Sequence, residues 1–337
     1  MVSSPAARRP FALFASLLAV ALVLAGCSSP GSGPSATGSS DAWVYSDAIG
    51  TKVRVDHTPT RVAAFADQAL TLLSYGITPV AIFGRVPVKT DSRFAGYDLS
   101  KTTIVGNSYG EIDLEKLAAA KPDLIVTGIY PTDRKGTLDT TQPDYGINDL
   151  EQQKQLQAIA PIATVEVGGA GQDVIDANVK LAERLGAKAS TIAAAKKRFD
   201  TAAARLTAAA KAHPDIEVTQ MYADADGVYA VKPDDEPVTQ LYKSLGVDLT
   251  DLHPDGEYYW DKYSWENAGQ MMTGDVVLVN VEGYQVADLR KQTTFADDPA
   301  LKAGQVYPWI DAALNYTAQA AQMNKLADLI EKAKSVS

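Results

Sequence analysis

Residues 110–127 read Gly-Glu-Ile-Asp-Leu-Glu-Lys-Leu-Ala-Ala-Ala-Lys-Pro-Asp-Leu-Ile-Val-Thr. Leu114 and Leu117 stand three apart among Glu, Lys and Ala, which are good helix formers, so the spacing predicts a helix over 114–120. Pro122 has no N–H to continue it and stops it. Residues 123–127 then run Asp-Leu-Ile-Val-Thr, a short apolar stretch of the kind that forms a strand buried on both faces. A helix, an abrupt stop and a doubly buried strand make half of a βαβ unit, and they set the class as α/β.

The same alternation extends both ways. Upstream, 62–65, 79–83 and 103–105 read as strands, with a helix over 68–75 that Gly76 ends. Downstream, a helix over 148–159, marked by Leu150, Leu156 and Ile159, leads to a strand over 162–167. Strands separated in this way argue a mostly parallel sheet. The connection 130–146 carries Pro131, Gly136 and Pro143 without periodicity, and loops of this length in compact domains are usually functional or mobile.

A helix over 173–185 follows, then a long one over 190–212. In it Ile192, Phe199 and Leu206 recur every seven residues beside Ala195, Ala202 and Ala209. Such a helix is roughly 35 Å long, and it serves either as a cover on one domain or as a rigid strut between two lobes. Beyond it, strands are expected at 217–223, 275–280 and 305–307, a turn at 224–227, and helices at 238–245, 265–272, 284–291 and 313–334. That is a second α/β unit built like the first.

The 337 residues carry 31 Lys and Arg against 41 Asp and Glu, a net charge of -10, with 46% hydrophobic residues. This is ample material for two cores, and the acidic balance argues against nucleic acid as a partner. The chain has 1 cysteine, which excludes a disulfide framework. It stands at 27, after Arg8 and Arg9 and an apolar run over 11–25 that is shorter than the ~20 residues a bilayer-spanning helix needs. The run Leu24-Ala25-Gly26-Cys27 resembles a bacterial lipoprotein signal. That resemblance implies cleavage before Cys27 and attachment of acyl chains such as palmitate, enough to hold the chain at a membrane. Residues 28–40, rich in Gly, Ser and Pro, read as a flexible tether.

Catalytic patterns are missing. There is no G-x-x-x-x-G-K-[ST], no H-E-x-x-H and no dinucleotide-binding fingerprint. His57, His213 and His253 lie far apart, and a Zn or Mn site would ask for two or three imidazoles together. Binding is the better class than catalysis.

Four stretches carry a wider resemblance. They are Pro59-Thr60-Arg61-Val62-Ala63-Ala64 with Gly76-Ile77-Thr78-Pro79-Val80; the 110–126 stretch quoted above; Asn148-Asp149-Leu150 with Ala160-Pro161; and Tyr263-Ser264-Trp265-Glu266 leading into Gly274-Asp275-Val276-Val277-Leu278-Val279. Over nearly all of the chain beyond the tether, the sequence resembles the substrate-binding lipoproteins of ABC importers for ferric siderophores, cobalamin and haem. The resemblance implies two parallel-sheet lobes joined by a single long interlobe helix, with the ligand cleft between the lobes. The expected organisation is a leader over 1–26, a tether over 27–42, a first lobe over 43–188, the helix over 189–212 and a second lobe over 213–337.

The resemblance also implies function. The chain is expected to be a monomeric, lipid-anchored, extracytoplasmic carrier without cofactor or enzymatic activity. It would hand its ligand to a permease driven by a cytoplasmic ATPase. Glu115 and Glu266 match the family's docking glutamates, which pair with permease arginines. Ligand contacts are expected at Phe65, Asp67, Arg85, Tyr109 and Tyr130 of the first lobe, and at Tyr222, Tyr229, Tyr258, Tyr259, Trp260 and Trp309 of the second. Arg85 with Arg93 and Arg134 is offset by Asp67, Asp133 and Asp224, so a neutral or cationic ferric hydroxamate is preferred over an anionic catecholate. Haem, cobalamin, a Zn or Mn ion held by His57 and His253, and a surface enzyme acting on iron chelates are the alternatives.

Overall fold

The computed structural model describes residues 42–336. The leader, Cys27 and all but the last residue of the tether lie outside the described residues.

The chain enters through an antiparallel hairpin of β1 (Trp43–Ser46) and β2 (Lys52–Val55). The first lobe then builds a five-stranded sheet in which every pairing is parallel, in the order β5-β4-β3-β6-β7. The strands are β3 (Val62–Phe65), β4 (Ala81–Phe83), β5 (Thr103–Gly106), β6 (Leu124–Ile129) and β7 (Ile162–Glu166). The helices between them are α1 (Ala66–Ser74), α2 (Leu114–Ala119) and α3 (Leu150–Ile159). Strand alternation divides the apolar residues between two faces. Val62 and Ala64 pack with α1, the hairpin and Leu181, whereas Ala63 and Phe65 pack with Leu117 of α2 and Leu156 of α3.

The opening stretch folds as its residues dictate. Asp113 caps α2 by accepting from the Lys116 N–H at 2.9 Å. After Pro122, the Asp123 carboxylate accepts from the N–H groups of Thr60 and Arg61 at 2.9 and 3.0 Å, pinning the start of β3 beside β6. The two resembling stretches thus hold one another in register.

Helix α4 (Gly171–Arg184) leads into α5 (Ala189–Ala212), 24 residues long. Ile192, Ala195, Phe199, Ala202, Leu206 and Ala209 form its buried stripe. The C-terminal helix α9 (Tyr316–Lys332) packs along it, with Phe199 against Tyr316 at 5.1 Å and Arg205 donating to Asp328 and Glu331. Tyr75 of the first lobe accepts from the Tyr316 N–H, and Asn178 of α4 donates to the Leu314 carbonyl. The strut expected from the sequence is therefore braced by a second long helix.

The second lobe contains β8 (Glu217–Ala223), β9 (Gly227–Val231), α6 (Pro237–Ser244), β10 (Asp248–Leu249), β11 (Trp260–Ser264), β12 (Val276–Asn280), α7 (Val286–Leu289), α8 (Pro299–Ala303) and β13 (Val306–Trp309). Its sheet runs β11-β9-β8-β12-β13, with β10 against β8. Unlike the first sheet it is mixed, because β9 runs antiparallel to both β8 and β11. The Asp224–Gly227 turn is the hairpin that reverses the chain. A helix was expected over 265–272, but only a 3-10 turn at Ala268–Met271 forms. The Trp265 indole donates to the Asp224 carbonyl at 3.0 Å and its ring stacks on Tyr284, which pulls the segment into a turn. The helix expected over 284–291 is likewise shortened to α7. No helix among the described residues is long and apolar enough to cross a membrane.

Candidate functional site

The cleft lies where loops following the strands of both sheets converge, as ligand sites do in α/β sheets. It encloses a cavity of about 510 Å³. From the first lobe its wall includes Asp67 and Gln68 at the start of α1, Arg85 after β4, Arg93, and Tyr130 with Tyr145 from the 130–146 connection. The second lobe supplies Gln220 and Tyr222 of β8, Glu236 at the N-cap of α6, and Tyr258, Tyr259 and Trp260 at the start of β11. Asn280, Glu282, Trp309 and Asp311 complete it from the ends of β12 and β13.

The cavity brings together Asp67, Arg85, Tyr130, Tyr222, Tyr258, Tyr259, Trp260 and Trp309 from the sequence-derived set. Three others stand elsewhere. Phe65 is 1% exposed in the core, edge-on to Phe83 and Tyr145, and a Cβ on Gly146 would sit 2.4 Å from its ring. It supports the wall from behind. Tyr109 is 51% exposed, with its ring 5.3 Å from that of Tyr145. Tyr229 packs between Tyr222 and Trp260. Arg134, named with Arg85 for its charge, is not in the wall either.

Sequence reasoning missed Tyr145, Gln68, Gln220, Glu236, Asn280, Glu282 and Asp311. Tyr145 had a signal: it closes the 130–146 connection, where its N–H pairs back to the Gly128 carbonyl at 2.8 Å. The others had none, since each is an ordinary polar residue until the lobes meet.

Two arginines organise one part of the wall. Arg85 forks onto Glu282 across the cleft, with Nη2 to Oε1 at 2.7 Å and Nε to Oε2 at 3.0 Å. Arg93 grips Asp91 through Nε and Nη2 and reaches Asp67 through Nη1 at 2.6 Å. Burial by itself lowers both guanidinium pKa values, but the Asp67 carboxylate together with Glu282 or Asp91 outweighs it and holds both raised. These arginines are committed to protein carboxylates.

Deeper groups feel burial most. It pushes the Glu236 carboxyl up to about 7 against the N–H it accepts from Thr239, with Asp311 adding to the rise. Burial also raises Asp311, opposed by Arg85 and Arg93. The hydroxyls of Tyr130 and Tyr259 are raised well above 10 by burial and stay protonated.

His57 and His253 do not meet. His57 pairs with Asp123 in the first lobe, and His253 with Asp261 and Tyr263 in the second. Glu115 stands exposed in the first turn of α2, after β5; Glu266 stands exposed after β11. Each follows the edge strand of its own sheet.

Comparison with known proteins agrees with this architecture. The family model described as periplasmic binding protein matches residues 62–313. Among solved structures, the ferric-siderophore receptor protein DesE from Streptomyces coelicolor is 31% identical, with a TM-score of 0.77 over 88% of this chain and 100% of that one. The petrobactin-binding protein YclQ from Bacillus subtilis shares the fold at 16% identity and a TM-score of 0.65, over 87% of this chain and 99% of its own. Staphylococcus aureus SirA, solved with staphyloferrin B, does so at 19% identity and 0.60, over 87% and 99%. No curated protein sequence matches. With two sheet-bearing lobes, a cleft at their strand ends and a match across most of its length, the chain belongs to the periplasmic binding protein family, whose members are extracytoplasmic, membrane-associated solute carriers and not enzymes.

Proposed function

We propose that this protein is the solute-binding component of an ABC importer that captures a ferric siderophore, preferably of hydroxamate type, and delivers it to a membrane permease. The observation that carries the reading is the 31% identity to a ferric-siderophore receptor over that receptor's whole length. The cavity supports the hydroxamate preference. Arg85 and Arg93 face Asp67, Glu282 and Asp311, Glu236 adds a further carboxyl to the wall, and both guanidiniums are already paired, so a polyanionic chelate finds no free cation among these groups. The aromatic wall offers broad, stiff contact to a bulky ligand. On this reading Cys27 carries the lipid anchor, Glu115 and Glu266 dock the loaded carrier, and the α5–α9 brace limits closure to a small movement.

The test is titration of tryptophan fluorescence, since Trp260 and Trp309 line the cavity. A ferric trihydroxamate should quench at micromolar concentration or below and a ferric catecholate should not. Quenching by haem or cobalamin alone, or by no ferric chelate, overturns the proposal.

A further inference from the structure

A ring of hydrogen bonds crosses the cleft and closes on itself. Arg85, after β4 of the first lobe, forks onto Glu282, which follows β12 of the second. The Glu282 N–H donates to the side-chain oxygen of Asn280, and the Asn280 side-chain amide donates to Oδ2 of Asp311, both at 2.8 Å. Arg93 leads back to the first lobe, donating to the Asp311 carbonyl at 3.4 Å and to Oδ1 of Asp67 at 2.6 Å. Oδ2 of Asp67 then stands 3.5 Å from Nη1 of Arg85. All six residues line the cavity. The interlobe fork is the link most open to water, with the Arg85 and Glu282 side chains 18% and 30% exposed, and an ion pair that water reaches is readily broken. Breaking it strands neither charge. Glu282 turns to water, and Arg85 still has Oδ2 of Asp67 on its own lobe. The turn that carries Glu282 is stiff, because the Gln285 side-chain amide donates to the carbonyls of Asn280, Gly283 and Tyr284. The fork therefore opens by rotation of the guanidinium and a parting of the lobes, with the turn intact.

We infer that the Arg85 guanidinium is a two-position latch: on Glu282 it holds the lobes together, and on Asp67 it lets them part so that solute passes in and out. A hydrogen bond is lost beyond about 3.5 Å, so a parting of about 1–2 Å at this point releases the fork. That is within the small movement expected of a braced cleft. The guanidinium stays paired in both positions, so the switch never leaves it as an uncompensated charge in the wall. The inference rests on the cleft being where the solute binds, and not on which chelate fills it.

The experiment uses the full-length chain with Glu282→Gln, which keeps the shape of the side chain but not its charge, and with Asp67→Asn, which weakens the second position. Stopped-flow tryptophan fluorescence with a ferric trihydroxamate reads both rates. A latch that must open for passage in either direction gates entry and exit alike. Glu282→Gln should therefore quicken association and dissociation together, each by about fivefold, with affinity held within about twofold. Asp67→Asn should slow association by about threefold. Hydrogen exchange of the ligand-free chain reads the latch without any solute. Glu282→Gln should quicken exchange by about fivefold at residues 66–69, the first turn of α1, where no side chain caps the helix. Exchange in the core strand β6 should stay at the wild-type rate, which also reports correct folding. Unchanged exchange at 66–69, a change in dissociation alone, or faster association in Asp67→Asn overturns the latch. If the wild type binds no ferric chelate, the siderophore reading falls and the exchange measurement still decides the latch.

Discussion

Arg134 and Asp235 join the two lobes through a planar fork. Nε meets Oδ1 and Nη2 meets Oδ2, both at 2.8 Å, and the Asp235 side chain is 1% exposed. The guanidinium also donates to the carbonyls of Gly256 and Glu257, while Asp235 accepts from the Tyr259 N–H. A residue in the middle of the 130–146 connection thus fixes the segment that presents Tyr258, Tyr259 and Trp260 to the cavity. The long unpatterned loop ties the lobes together beside the cavity.

Removing that tie should speed ligand escape. Arg134→Ala leaves Asp235 buried with one backbone donor, so release in stopped-flow fluorescence is expected to quicken by about tenfold, with association little changed. Arg134→Lys keeps the charge but not the fork and should recover only part of the loss. An unchanged dissociation rate for Arg134→Ala would show that the tie does not hold the cleft.

Tyr259 sits at a φ of 73°, a left-handed conformation that costs a non-glycine residue on the order of 1–3 kcal/mol. Its ring packs 5.0 Å from Trp260 in the cavity wall. Tyr259→Gly should relieve the strain and keep thermal stability near wild type, while affinity for the ligand drops by about tenfold or more. A variant that melts well below wild type but binds normally contradicts this division.

Glu236 makes stability depend on pH. Burial raises its carboxyl from 4.5 to about 7, and Asp311, Tyr242, Tyr259 and Tyr130 surround it without a cation. The folded protein therefore holds this proton more tightly than the unfolded chain. Its stabilising contribution is full below about pH 4.5 and is lost as pH rises through about 7. Glu236→Gln, which keeps an oxygen for the Thr239 N–H, should match wild type near pH 4.5 and melt higher at pH 8, by about 2–4 °C per kcal/mol recovered. A melting difference that does not vary with pH argues against the assignment.

Glu115 and Glu266 offer a test of docking apart from binding. The Ala double variant should lose uptake of labelled ferric chelate by cells, with solution affinity unchanged within about twofold, because neither residue lines the cavity. Transport at the wild-type rate removes both residues from the docking role.

The order of elements was readable because its causes are local. Pro122 stops α2, Gly76 ends α1, and apolar spacing marks the helices wherever each has a single buried face. The second lobe was harder for a reason visible at Trp265, whose indole bond to Asp224 and stack on Tyr284 override the helical tendency of its neighbours. The antiparallel strands β9 and β11 were missed because Trp260–Ser264 earns its strand only by pairing with Gly227–Val231.

The amino-acid sequence by itself determined the α/β class, the long strut and the family resemblance, since helix stops, periodicities and short motifs act between near neighbours. Only the tertiary structure decided which of the 15 tyrosines line the cavity. It also separated Phe65 from Asp67, two residues apart, the first in the core and the second in the cavity wall. Gln68, Gln220, Glu236 and Asp311 carry no local pattern that ties them together. They share a cavity because crossovers in two sheets bring distant strand ends to one cleft.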